Sequence, residues 1–131
     1  MPVAITAIYA SILALLLTAL AINVTVHRNK LRVSLGDGGK PQMIRMIRLH
    51  GNSAEYIPIG VVLMGLYELN HGLGIALHIT GIALIVSRVF FIAGVWNADM
   101  PTAGRGIGMV LTWVTIVALA ALNLWQISGR A

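Results

Sequence analysis

Four stretches of this chain are long and apolar enough to read as helices crossing a lipid bilayer. Pro2 to Val26 carries no charged side chain, and about 20 apolar residues suffice to cross a hydrocarbon core of about 30 Å. Ala19-Leu20-Ala21 imitates a leader cleavage site. The segment nevertheless lacks a basic start and its apolar run is too long for a leader, so it reads as a retained span. A second stretch ends at Leu69. Tyr56 to Leu69 alone is too short to cross, so counting back about 20 residues starts the span near Leu49. The third runs from Leu73 to Trp96 with one charge, Arg88, and the fourth from Ile107 to Ile127 with none. Asn70-His71-Gly72 predicts a tight turn that makes spans two and three an antiparallel hairpin. Gly, Asn, Asp and Pro between Val95 and Gly106 predict another short connection. Pro58 predicts a kink or a freed carbonyl in the second span. The pattern predicts an all-α fold, a four-helix transmembrane bundle, in one domain over residues 1–131 with spans at 2–26, 49–69, 73–96 and 107–127. No internal repeat is present.

Composition agrees with lipid as the solvent. Apolar residues make up 58% of the chain and charged residues 10%, and the mean hydropathy is +0.88. A soluble domain of this size could not bury so much apolar surface. The net charge of +5 does not point to nucleic acid, because the basic residues cluster between two spans. Arg28, Lys30, Arg32, Lys40, Arg45 and Arg48 stand in or beside the first loop against one acid, Asp37. The second loop has no Lys or Arg, and the third has Arg105 balanced by Asp99. The positive-inside rule puts the first and third loops in the cytoplasm and both termini on the opposite side. There is no cysteine, which excludes disulfides, thiolate metal ligation and a cysteine nucleophile. Any thiol chemistry would use the thiol of a small molecule.

The polar residues that remain are concentrated at one entrance to the membrane. Arg45, Arg48, Asn52 and Glu55 are spaced by three, four and three residues, which stacks them along one face of a helix. Ionisable groups at that depth are costly unless they pair or bind something. Glu55 and Arg88 fall at similar depths, so an ion pair between them, within one subunit or between two, is expected. Lys30, Arg32 and Lys40 read as topology signals and contacts for lipid phosphates. Tyr56 alone would be an interfacial anchor, and Trp96, Trp113 and Trp125 read as belt or packing residues. On the other side, Glu68 and His71 have a spacing that can ligate metal. Gly72 and Gly74 interrupt any helix linking His71 to His78, so interface roles are favoured and no metal site is assigned. Phosphate loops, dinucleotide fingerprints, zinc-protease motifs and serine elbows are absent from the sequence.

The segments Arg32-Val33-Ser34-Leu35-Gly36-Asp37-Gly38-Gly39, Ile47-Arg48-Leu49-His50-Gly51-Asn52 and Glu55-Tyr56-Ile57-Pro58 resemble the MAPEG family, the membrane-associated proteins of eicosanoid and glutathione metabolism. The resemblance covers nearly the whole chain and is strongest to the small bacterial inner-membrane branch. It implies a homotrimer of four-helix subunits with a glutathione site between adjacent subunits near the cytoplasmic side. It implies glutathione contacts from Arg28, Arg48, His50, Asn52, Glu55 and Tyr56. Arginines suit the two carboxylates of glutathione, and Glu55 suits its ammonium. The resemblance also implies Arg105 as the catalytic cation that stabilises a thiolate, since a nearby cation lowers a thiol pKa. Phe91 and Val95 stand where active members carry tyrosines.

The implied function is therefore an integral membrane glutathione-binding protein, as transferase or peroxidase on a hydrophobic small-molecule substrate delivered through the lipid. Its partners are membrane lipid, glutathione and other copies of itself, and nucleic acid is not among them. Two alternatives stand beside it. A non-catalytic protein could keep the fold and lose the chemistry, as the missing tyrosines suggest. A small multidrug exporter would have similar length and span number, but it needs an acid inside the first span, and this first span has none.

Overall fold

The structure, a computed structural model, describes residues 2–98 and 100–129. It contains four helices in chain order: α1 (Ala4–Leu31), α2 (Pro41–Leu69), α3 (Gly74–Trp96) and α4 (Ala103–Ser128). No strand occurs among the described residues. Neighbouring helices run antiparallel. Glu68 at the end of α2 meets Ile5 and Thr6 at the start of α1, Asn52 of α2 meets Arg88 of α3, and Ser87 of α3 meets Thr112 of α4.

Local chemistry sets the helix ends. Arg32 adopts the left-handed conformation after α1, at φ 54°, and the amide of Val33 closes back onto the Arg28 carbonyl at 3.0 Å. The connection to α2 then uses Gly36, Gly38 and Gly39 at φ of 67°, 61° and 66°, a backbone that side chains rarely adopt. Pro41 opens α2, where its fixed φ and missing N–H do no harm. Thr102 caps α4: its Oγ1 accepts from the Arg105 amide at 3.3 Å and donates to the Gly94 carbonyl at 2.6 Å. The turn at His71 is left-handed, at φ 58°.

Three boundaries differ from the sequence expectation: helix α1 runs on to Leu31 rather than ending near Val26, so Arg28 and Lys30 ride on its last turn. Helix α2 begins at Pro41 rather than near Leu49, so Arg45 and Arg48 ride on the helix and not in a loop. Helix α4 begins at Ala103 rather than Ile107, which puts Arg105 in its first turn. Pro58 lies inside α2, which stays helical on both sides of it. Helices α1, α3 and α4 are long and apolar enough to cross a membrane by length and composition. The 29 residues of α2 have the length, about 43 Å, but not the apolarity, because Arg45, Arg48, Glu55 and Glu68 lie on it.

The core forms two clusters stacked along the bundle. One holds Tyr9, Leu13, Met64, Leu77 and Leu119. The other holds Leu20, Met43, Met46, Leu49 and Phe91. Large apolar side chains such as Leu15, Ile75, Val117 and Leu124 point outward, as expected where lipid is the solvent. Helices α3 and α4 approach closely because small residues face each other. A methyl group on Gly94 would meet the Arg105 amide and Thr102 Oγ1, and one on Gly108 would meet the Ser87 carbonyl. This close contact fixes where Arg105 stands relative to α3.

Candidate functional site

A cleft of about 640 Å³ opens between α2, α3 and α4 at the end carrying the basic residues. Its polar lining comes from Arg45, Arg48 and Asn52 on α2 and Arg105 on α4. Its apolar lining includes Phe91 and Val95 of α3, and Met109 and Trp113 of α4. Among the described residues no carboxylate lines it; Asp99 lies outside the described residues. The early start of α2 brings Arg45 and Arg48 to the rim. The Thr102 cap and the Gly94 contact bring Arg105 to the facing side. Such a cleft suits a ligand with an anionic head and an apolar body.

Behind the lining sits Arg88, 1% exposed. The expected ion pair with Glu55 does not form within the chain. Arg88 instead donates through Nη1 to Asn52 Oδ1 at 2.8 Å and through Nη2 to Thr112 Oγ1. Its Nε lies 3.5 Å from Ser87 Oγ. The guanidinium also lies 5.2 Å from the Phe91 ring centre and 5.9 Å from that of Tyr56, within cation–π range. Glu55 is exposed. The reason is geometric: Asn52 and Tyr56 lie on the side of α2 that meets Arg88, and Asn52 is nine-tenths buried, whereas Glu55 is exposed. A buried cation is costly unless hydrogen-bonded, and here the hydroxyls of α3 and α4 and one amide oxygen do that work. The sequence flagged Arg88 as an isolated charge. It gave no sign that Ser87 and Thr112, ordinary residues in apolar helices, would be its partners.

The remaining sequence-derived site residues divide. Arg48, Asn52 and Arg105 share the cleft. Tyr56, half-buried, accepts at its hydroxyl from Trp113 Nε1 at 3.1 Å and does not line the cleft. Trp113 thereby has a hydrogen-bonding role that the belt reading missed. His50 is half-buried and does not line the cleft, since two residues' separation from Arg48 turns it to the other side of α2. Arg28 stands apart, donating through Nη1 to the Gly36 carbonyl at 2.8 Å, in a shallow groove with Asn29, Arg32 and Ser34.

At the opposite end Glu68, Tyr9 and His78 are tied between helices, while His71 and Gln126 line a second, smaller cleft. Glu68 accepts from the Ile5 and Thr6 amides at 2.9 and 2.7 Å, so it caps α1 from α2. Tyr9 Oη lies 2.9 Å from His78 Nδ1. No group of three or more His, Asp or Glu residues able to hold a metal occurs among the described residues.

Comparison with known proteins agrees with this architecture. The model of the MAPEG family matches residues 6–125. The chain is 37% identical over 121 residues to the inner membrane protein YecN of Escherichia coli strain K12, spanning 92% of this chain and 91% of that protein. The inner membrane protein YecN of Escherichia coli O6:H1 matches with the same identity and coverage. A family match over nearly the full length, on a four-helix membrane fold, means that this chain belongs to the MAPEG family.

Proposed function

We propose that this protein binds glutathione in the membrane, with Arg48 and Asn52 among its contacts and Arg105 as the cation for the thiol. The observation that carries the reading is the convergence of Arg48, Asn52 and Arg105, from two helices distant in sequence, on one cleft with an apolar wall. Arginines match the carboxylates of the tripeptide, and the apolar lining matches a hydrophobic second substrate. Arg28 and Glu55 do not line the cleft within one chain, which fits a site completed by a second copy in a homotrimer. Tyr56 keeps its hydroxyl proton for a ligand, because it accepts from Trp113. His50 stands on another side of α2 and is the weakest of the proposed contacts. The bacterial relatives are named inner membrane proteins, and we extend that location to this chain, with the first and third loops cytoplasmic.

Turnover as transferase or peroxidase rests on Arg105 alone. Phe91 and Val95 line the cleft where active relatives have tyrosines, and neither can donate a hydrogen bond to a thiolate. That observation favours a second reading, a protein that binds without catalysis. Calorimetric titration of glutathione into the detergent-purified protein tests the first reading. Binding to wild type that is lost in Arg48→Ala and Glu55→Ala supports it, and folded wild type that does not bind sinks it. Conjugation of a chromogenic electrophile, abolished in Arg105→Ala with binding intact, would separate enzyme from binder.

A further inference from the structure

Arg88 touches no space in the cleft, yet it decides what the cleft wall offers. A guanidinium only donates. The Asn52 amide therefore turns its oxygen to Arg88, 2.8 Å away, and its nitrogen away from it. Asn52 lines the cleft while only 6% exposed. Its Nδ2 is neither hydrogen-bonded within the chain nor among the fully enclosed polar atoms without a partner, so it faces the cleft. In water an asparagine shows either end of its amide; here the choice is fixed. The fixing is strong because Arg88 is itself held, by Thr112 and Ser87 and by the Phe91 ring. Thr112 Oγ1 is tied in turn, 3.0 Å from Ser87 Oγ and 2.8 Å from the Gly108 carbonyl.

We propose that Arg88 is a positioning residue that presents Asn52 Nδ2 to the cleft, so that the wall formed by Arg48 and Asn52 accepts an anionic, acceptor-only group and rejects an ammonium. Resting on the glutathione reading, this assigns a carboxylate, and not the amine, to the Asn52 end of the site. The buried guanidinium, with no carboxylate partner among the described residues, adds a positive charge one side chain behind that wall. In low dielectric such a charge is felt strongly. The cleft volume is that of a small-molecule site, so the recognised group belongs to a small molecule with one anionic head near Asn52.

Asn52→Asp is the variant that tests this. The carboxylate keeps an acceptor on Arg88 and supplies the missing counter-charge, but it removes the donor from the cleft. The variant should fold at least as stably as wild type. The probes are dodecyl phosphate and dodecylphosphocholine, which share a tail and differ by a cation on the head, added to detergent-purified protein and followed by thermal shift and calorimetry. Glutathione is titrated in parallel. Wild type should bind dodecyl phosphate about tenfold or more tightly than dodecylphosphocholine, since a hydrogen bond to a charged group carries that factor. Asn52→Asp should lose that preference with its melting temperature unchanged or raised. Thr112→Val, which loosens Arg88 without touching the cleft, should weaken the preference by a smaller factor. Wild type with no preference between the two heads, or Asn52→Asp that binds dodecyl phosphate like wild type, overturns the proposal. Phosphate selectivity through Asn52 without glutathione binding keeps it and sinks the glutathione reading. Glutathione binding that is indifferent to Asn52→Asp keeps that reading and sinks this one.

Discussion

The two ends of the bundle use similar side chains for opposite purposes. At the end where α1 starts, Glu68 takes two backbone amides, Tyr9 meets His78, and Asn123 Nδ2 donates to the Leu63 carbonyl at 3.0 Å. Each of these groups closes a gap between helices. At the other end, Arg48, Asn52 and Arg105 face a cleft, and the cation that has been closed off, Arg88, is turned into a support for Asn52. In a medium that cannot hydrogen-bond, polar groups must be satisfied inside the protein. Those that are left facing a cavity are therefore the ones available to a ligand. The comparison separates stability from recognition: changes at the Glu68 end should move the melting temperature, and changes at the cleft should move binding.

The largest expected effect tests the frame that both ends share. Gly108→Leu would drive a side chain into the Ser87 carbonyl and the Phe91 backbone. Because backbone cannot yield as a side chain does, the cost should exceed the about 1–3 kcal/mol of ordinary overpacking. The expected outcome is loss of the folded species on size-exclusion chromatography, and a variant that elutes and melts like wild type would show that α3 and α4 are less closely packed than described. Next comes Arg48→Ala. Losing a charge-assisted hydrogen bond of about 1.5–3 kcal/mol should weaken glutathione binding about tenfold or more. Arg48 is exposed, so the ligand-free melting temperature should barely move. A large fall in that temperature would mean that Arg48 is structural and the comparison fails at its main residue.

Much of this division was legible before the structure. Three strongly apolar runs and a fourth, less apolar stretch, separated by turn residues and flanked by a biased distribution of basic residues, give the helices and their order. The spacing of Arg48 and Asn52 gives the cleft face of α2, whereas Glu55, grouped with them by the same spacing, is exposed and outside the cleft. Two things were not legible. The start of α2 at Pro41 depends on a proline that reads equally as a loop residue, so the span bounds leave Arg45 and Arg48 outside the helix although their spacing suits one. The partners of Arg88 depend on the approach of α3 and α4, which is set by glycines at 94 and 108. Sequence spacing on one helix carries no information about which residue of another helix lies opposite. Depth alone paired Arg88 with Glu55; the packing paired it with Asn52 and Thr112.

At the opposite end, Glu68→Gln should lower stability by on the order of 1 kcal/mol, because it removes the charge that favours a helix N-terminus and weakens one of two caps. Thermal unfolding in detergent should report the loss, and calorimetry should report unchanged glutathione affinity. Reduced affinity with unchanged melting would invert the comparison.

The smallest effect is the sharpest, because it contrasts two tyrosines. Tyr9 Oη and Tyr56 Oη each have one neighbour, His78 Nδ1 and Trp113 Nε1. Trp113 can only donate, so Tyr56 must accept from it and keeps its own proton for a ligand in or beyond the cleft. Polarisation by the indole makes that proton a better donor. Trp113→Phe removes the polarising bond while keeping an aromatic ring in the cleft wall. Glutathione binding should weaken by a factor of about two to three, on the scale of part of one neutral hydrogen bond. Tyr9→Phe removes a comparable bond from the other end and should lower stability by about 0.5–1.5 kcal/mol with binding unchanged. If Trp113→Phe instead strengthens binding, the indole and the ligand compete for the same face of Tyr56. The Tyr56 hydroxyl would then belong with the closed groups of the bundle rather than with the cleft.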